Sequence, residues 1–380
     1  MEKTKAEVVI VGAGVIGVSI AYHLAKAGCC DVIVLERDGI GEGSTGKCAG
    51  GVRCQFSQEV NIRLSMESVE FFRRFEEETG HPDDFHQHGY LMLATSDEIL
   101  NNLRNSVVLQ QKLGVEVYLL SPREANELVP ELNIDDILGA TYTPTDGFVD
   151  PYSVVQGFAA AARRLGVKIH TETEVIGLAK KKGDGMRILT TRGDFEARVV
   201  VNAAGAHAGL VAKMVGLDIP ARPVKQHRFF TAPTDKFPRN APLVIDIGAS
   251  VGIRREGQCL MFTMRDLDSP ETFDATVDWG CFPTVGGAIL HRFPSLEDVS
   301  IMRADAGLKS NTPDHSAILG SVPEVDGLYL ACGLGGHGVM HSPAVGRLMA
   351  ACILNGENSL AISALSVTRF STGNLVTETY

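Results

Sequence analysis

Apolar positions along this chain follow a strand–helix–strand rhythm at the start and again near the end, with a different rhythm between. Ala6 to Val11 is an almost unbroken apolar run, as expected of a strand buried on both faces. Val18 to Ala27 then reads as a helix, with Gly28 placed to end it. Asp31 to Leu35 is a second buried strand and finishes at Glu36. Helices are predicted over 59–78, where Val60, Leu64, Val69, Phe72 and Phe75 recur at helical spacing, and over 97–113 and 152–165. Ser121 with Glu124 has the form of a capping box. Strands are predicted at 90–94, 168–170, 173–178, 187–191 and 195–201, with a hairpin tip at 180–185. From Gly216 to Asp305 short β-like runs alternate with Pro and Gly turns, the pattern of an antiparallel sheet. One helix is expected there, over Ser269 to Trp279. Leu328 to Cys332 restores the buried-strand signal, followed by a glycine-rich turn and a helix.

The first turn, Gly12-Ala13-Gly14-Val15-Ile16-Gly17, carries the earliest chemistry. Gly12 permits the tight turn, Gly14 lets a pyrophosphate reach the backbone, and Gly17 lets helix and strand pack closely. The helix start offers N–H groups and a positive dipole end to phosphate. Glu36 lies roughly 20 residues on, where a carboxylate holds ribose hydroxyls. These features together predict a dinucleotide site. A second glycine-rich loop, from Arg37 through Gly43-Ser44-Thr45-Gly46-Lys47 to Gly51-Val52-Arg53, follows directly. NAD does not need it, whereas the longer FAD does. The strand ending Asn202-Ala203-Ala204-Gly205 suits close approach to a ligand at a sheet edge. Gly333-Leu334-Gly335-Gly336-His337-Gly338-Val339-Met340 is again a turn into a helix, whose N-terminus can stabilise a reduced flavin anion.

The bulk properties narrow the partners. The chain has 380 residues, 44% of them hydrophobic and 21% charged, as in ordinary globular enzymes. A net charge of −11 argues against nucleic acid. No apolar run is long enough to span a bilayer, and the first strand leaves no room for a signal peptide, so a cytoplasmic protein is expected. The eight cysteines show no metal spacing and are expected to be reduced, with Cys48 and Cys54 kept as redox candidates near the cofactor. His81, His86 and His88 fit no standard metal site.

Three stretches together carry a resemblance: Gly12 to Gly17 with Glu36, Gly43 to Gly46 with Gly51-Val52-Arg53, and Gly335 to Gly346. The chain resembles the D-amino-acid oxidase-like FAD oxidoreductases, with a particular likeness to the beta subunits of heterotetrameric sarcosine oxidase and of dye-linked L-proline dehydrogenase. The likeness covers nearly the whole chain, including Thr143 to Gly147 and Asn311 to Asp314. It implies FAD-dependent oxidation of a C–N bond, with hydride passing to flavin N5 and an imine left to hydrolyse. Three family features are missing. The thioether cysteine falls near Gly307, the carboxylate-pairing lysine at Met340, and the FMN-linking histidine near Val149. Noncovalent FAD is therefore expected.

The fold expected is α/β: a Rossmann-like FAD-binding domain (1–80, 146–215 and 306–380) interleaved with an α+β substrate domain on a mostly antiparallel sheet (81–145 and 216–305). The resemblance extends the cofactor set to Arg37, Lys47, Val175, Ala203, Ala204, Gly205 and the whole of Gly333 to Met340. Arg53, Lys309 and His337 are the catalytic candidates. Arg53 and Lys309 are candidates for substrate contact, and His337 for positioning the backbone against the flavin. Lys225, His227 and Arg228 are further candidates for the substrate. The substrate is expected to be a small amine or amino acid such as sarcosine, proline or glycine. The electron acceptor stays open among oxygen, a dye or quinone, and a partner subunit, and so does a hetero-oligomeric state. Two alternatives are a non-catalytic or subunit-type FAD protein and an NAD(P)H-dependent flavin monooxygenase. The second usually has a Gly-Asp pair where Ala331-Cys332-Gly333 stands.

Overall fold

Buried β-branched runs close to both ends of the chain assemble into one sheet. The computed structural model describes residues 4–181, 183–264, 270–356 and 359–379. The strands Ile318–Ser321, Leu328–Cys332, Gly193–Asn202, Lys5–Val11, Val32–Leu35 and Lys168–His170 lie side by side in that order. A hairpin, Val175–Lys180 with Met186–Thr190, extends it. Lys5–Val11 is central and runs parallel to both neighbours. Helices Val15–Lys26, Pro151–Arg164 and Gly338–Asn355 cover one face through a shared apolar core. Val200, Ile33 and Ile318 face a second core on the other side.

Strands from two segments, 90–143 and 222–311, form the second sheet. Its order is Ile301–Asn311, Arg222–Thr231, Cys259–Met264, Val251–Glu256, Leu243–Asp246, Tyr90–Ala94, Gly139–Thr143 and Tyr118–Leu120. All pairs are antiparallel except Leu243–Asp246 beside Tyr90–Ala94, which run parallel. The antiparallel sheet expected within 216–305 is present, and Phe229, Val244, Ile253 and Phe262, with Leu91 from the adjoining strand, enter the core behind it. Their neighbours in sequence face the other way, toward the first sheet. A short ribbon, Gly51–Val52 with Gly147–Phe148, stands at the seam.

Two expectations need correction. The helix over 59–78 is two helices, Glu59–Phe72 and Phe75–Thr79. The break lets both Phe72 and Phe75 be fully buried, with their rings stacked 6.1 Å apart. The helix expected over Ser269 to Trp279 is instead Phe282–Arg292, and Ser269 lies outside the described residues. Residues 272–278 form no helix and are tied to the sheet: Thr272 N–H donates to Pro223 O at 2.9 Å, and Lys225 pairs with Asp274 at 2.6 Å. Asp278 accepts from Gly280 N–H at 2.8 Å, and Pro283 in the first turn then favours a helix start. Among the described residues no helix is long and apolar enough to cross a membrane.

Candidate flavin and substrate site

The first turn divides its glycines between two tasks. Gly12 has φ +108°, and a Cβ there would stand 2.6 Å from Ala203 O. A Cβ on Gly17 would stand 2.0 Å from Gly12 O, so this glycine serves helix–strand packing. Gly14 is different: a Cβ there would meet only Thr45 Oγ1, at 3.4 Å. The same Thr45 hydroxyl accepts from Val15 N–H at 3.1 Å, which ties the second glycine-rich loop to the helix start. Glu36 accepts from Ala13 N–H at 2.7 Å and from Asp38 N–H at 2.9 Å, which fixes its carboxylate at the strand end.

These elements open on one cavity of about 810 Å³, within the range of roughly 300–1,000 Å³ usual for ligand sites. Its wall includes Gly12, Gly14, Val15, Ile16, Glu36, Arg37, Gly43, Ser44, Thr45, Lys47, Val175, Ala203, Ala204, Gly205 and all of Gly333 to Met340. Arg53, Lys309 and His337 line it as well. Ala13, Gly17 and Gly46 stand behind that wall; a Cβ on Gly46 would lie 2.8 Å from Gly41 O.

At the far end the C-terminal turn meets the second sheet. Gly335 N–H donates to Ser310 O at 2.9 Å, and the long helix starts at Gly338. A Cβ on Gly336 would lie 3.5 Å from Lys309 Nζ. An ammonium and a helix N-terminus therefore share one corner, which favours negative charge there. The Ser310 hydroxyl beside them is buried in the cavity wall with no hydrogen-bond partner among the described residues. A buried orphan of this kind suits a polar ligand edge. These groups, with Glu36 at the other end, fit FAD.

Arg53 is buried, donates to Gln55 O, and lies over the Phe56 ring at 4.0 Å from its centroid. His337 meets that ring edge-on, with centroids 5.0 Å apart, and His341 is tilted against it at 5.2 Å. Burial, with Arg53 nearby, pushes His341 down to about 3, so it is neutral; its Nε2 bonds the Ser65 hydroxyl at 2.9 Å. Behind Arg53, Asp146 is fully buried and accepts from Cys54 N–H through both oxygens at 2.9 Å. Burial raises its carboxyl to about 7. Gln55 Nε2 donates to Tyr90 O at 2.9 Å, and burial lifts the Tyr90 phenol to about 12.

The other basic candidates are engaged by the fold. Arg228 grips Asp305 at 2.7 and 2.9 Å and donates to Gly46 O and Cys48 O. It clamps the flavin loop to the sheet. Lys225 pairs with Asp274, and His227 Nε2 accepts from Asp278 N–H at 3.0 Å. Burial pushes the Cys48 and Cys54 thiols up, which keeps them protonated and disfavours the redox reading.

Sequence reasoning passed over the sheet face that closes the cavity: Tyr90, Met92, Leu243, Ile245, Gly252 and Thr263. The period-two alternation of Tyr90-Leu91-Met92-Leu93 and of Leu243 to Ile247 was the signal available. It places residues on faces without saying which face meets a ligand.

Residues 7–352 match the family described as FAD dependent oxidoreductase (DAO). The chain is 32% identical to mitochondrial dimethylglycine dehydrogenase of Rattus norvegicus over 97% of its own length and 45% of that protein. It thus spans less than half of that relative. The crystal structure of L-proline dehydrogenase from P. horikoshii superposes with a TM-score of 0.92 at 33% identity, covering 98% of this chain and 100% of that one. Glycine oxidase from Geobacillus kaustophilus gives a TM-score of 0.86 at 27% identity, covering 97% and 99%.

Proposed function

The chain belongs to the FAD-dependent oxidoreductase family, and from that premise we propose that it oxidises the C–N bond of a small amino or imino acid. The observation that carries this reading is the sheet face closed against the C-terminal glycine turn, with Arg53 and Lys309 on the same cavity wall. Similarity to proteins named for dimethylglycine, L-proline and glycine oxidation supports it.

FAD, when bound, supplies the hydride acceptor, and the imine left behind hydrolyses in water. The protein's share is position and field. Arg53, braced on Phe56, and Lys309 draw in the substrate carboxylate. Lys309 and the start of helix Gly338–Asn355 favour negative charge where they meet. His337 fixes the turn against Phe56. No strong base is required when the amine binds neutral.

FAD is held without a covalent link in this reading. Gly307, at the thioether position, faces Lys47, where a Cβ would come within 2.3 Å of the lysine Cβ. Val149 is buried at the FMN-linking position. The eight free thiols suit a reducing, cytoplasmic setting. In the same reading this chain works with a partner subunit that takes the electrons.

An anaerobic screen of sarcosine, dimethylglycine, proline, hydroxyproline, glycine and D-amino acids tests the reading. At least one is expected to bleach the flavin, and acid precipitation is expected to release all of it. A flavin that no amine or amino acid reduces overturns the proposal, and flavin retained on the pellet overturns the noncovalent assignment.

A further inference from the structure

A single row of residues crosses the cavity face of the second sheet: Met92, Ile245, Gly252, Thr263 and Arg228, each in register with the next. One half of the row is apolar. The other half is polar and already engaged: Thr263 Oγ1 accepts from Gln226 Nε2 at 3.2 Å, and Arg228 holds Asp305. Between the halves Gly252 leaves a gap in the row of side chains on the cavity face, and Ile245 Cδ1 leans over it.

The gap is not a backbone necessity. Gly252 is absent from the glycines that adopt positive φ, so another residue fits its conformation. A Cβ there would meet Ile245 Cδ1 at 2.6 Å, and its next side-chain neighbour is Thr263 Oγ1 at 4.0 Å. The close atom is the movable end of a side chain. What glycine provides at this position is room for Ile245 to lie low on the sheet face, with Met92 further along the row; a side chain at 252 would push Ile245 into the cavity. Neither side chain can hydrogen-bond a hydroxyl brought against it.

We propose that the gap at Gly252 is the subsite for the apolar carbon skeleton of the substrate, and that Gly252 and Ile245 decide which skeletons enter. This rests on the reading of the cavity as an amino-acid-oxidising site. The class selected is an imino or amino acid with an apolar ring or a short branched chain. A substrate as small as glycine leaves the gap unfilled. A hydroxylated ring that turns its hydroxyl against Ile245 or Met92 finds no partner there, which costs a factor on the order of 10–100.

The test uses the full chain loaded with FAD and follows flavin absorbance during titration with two carboxylates. Pyrrole-2-carboxylate has the ring and carboxylate of an imino acid but no hydride to give. Acetate has the carboxylate alone. Pyrrole-2-carboxylate is expected to bind at least about tenfold more tightly than acetate. Gly252→Val is expected to weaken the ring compound about tenfold or more while acetate changes by less than about twofold. Ile245→Phe fills the same gap from the adjacent strand and is expected to act alike, and adding Ile245→Ala to Gly252→Val is expected to restore part of the loss. Failure of the unmodified protein to prefer the ring overturns the subsite, and so does an unchanged ratio in the folded variants. If the ring binds as expected but no amine reduces the flavin, the functional reading falls and the subsite stands. If amines reduce the flavin while the ratio stays fixed, the subsite falls and the functional reading stands.

Discussion

The two walls of the cavity are built by opposite means. The nucleotide-side wall is mostly backbone, drawn from a few short stretches: the first turn, the loop through Gly43 to Lys47, and the Ala203 to Gly205 strand end. The wall facing it is mostly side chains, gathered from strands between Tyr90 and Asn311 in sequence. At Gly12 and Gly17 a single added carbon would overlap backbone oxygen, at 2.6 and 2.0 Å. At Gly252 it would press only on a side-chain end. The first wall is therefore rigid in sequence and common to whatever shares the cofactor. The second can change its lining without changing its fold, which is why the proposed subsite places substrate choice there.

The sharpest way to break this contrast is at the first turn itself. Gly17→Ala places its Cβ against Gly12 O and is expected to cost about 3 kcal/mol or more, giving unstable, colourless protein. Gly14→Ala meets only the Thr45 hydroxyl. It is expected to leave the melting temperature nearly unchanged and to weaken FAD binding, since it fills the approach to the pyrophosphate. Thermal melts paired with FAD titration separate the two. Equal loss of stability in both variants would mean that Gly14, too, serves packing.

The facing wall depends on a buried ion pair behind it. Arg292, 1% exposed, binds Asp246 at 2.7 Å and Asp136 at 2.8 Å. Asp246 ends the strand that carries Ile245. Arg292→Ala leaves Asp246 buried without its cation and is expected to cost about 3–5 kcal/mol, read by urea denaturation. Arg292→Met is expected to remain far below the wild type because the carboxylate stays unpaired, whereas Arg292→Met with Asp246→Leu is expected to recover much of the loss.

Legibility in the sequence followed the same divide. Gly12 to Gly17, Glu36 and Gly333 to Gly338 could be read because their spacing along a short stretch is itself the signal, even where the atoms they face, such as Ala203 O at Gly12 and Lys309 Nζ at Gly336, are distant in sequence. The row of Met92, Ile245, Gly252 and Thr263 was hidden because four separate strands supply it. Alternation fixed two faces for each strand, and only the register between strands decided which face met the cavity. The structural partners of Arg228 were hidden for the same reason: Asp305, Gly46 and Cys48 are distant from it in sequence. The helix placed over 269–279 failed because long-range bonds to Pro223 and Lys225 overrode local propensity.

The seam between the walls offers a smaller, pH-dependent effect. Asp146, next to the Gly147–Phe148 ribbon strand, has its carboxyl raised by burial from 3.8 to about 7. Between those values the unfolded chain has released the proton and the folded chain still holds it. Stability from this group is therefore full below pH 4, declines as pH rises toward 7, and is level above it. Asp146→Asn keeps an oxygen acceptor for Cys54 N–H and cannot ionise. Its stability relative to the wild type is expected to climb between pH 4 and 7, by up to about 4 kcal/mol, and then to stay constant. A pH series of urea midpoints measures this, and a difference independent of pH would show that Asp146 is ionised throughout.

The smallest effect probes whether the nucleotide wall acts on affinity alone. Glu36 already accepts from the Ala13 and Asp38 amides, so its removal has two consequences that must be separated. Glu36→Ala leaves the Ala13 N–H without its acceptor, costing about 1–3 kcal/mol of stability in addition to any loss of FAD. Glu36→Gln keeps an oxygen acceptor and removes only the charge. It is expected to lower FAD affinity about tenfold, the order of one charge-assisted hydrogen bond. With FAD at saturation, the rate of flavin reduction by the best amine is expected to match the wild type, because the proposed site puts Glu36 at the adenosine end and the reacting atoms beside Arg53 and Lys309. Quenching of FAD fluorescence gives the affinity and stopped-flow absorbance gives the rate. A slower reduction at full occupancy would mean that the adenosine end also sets the flavin's position, and that the two walls are less independent than their construction implies.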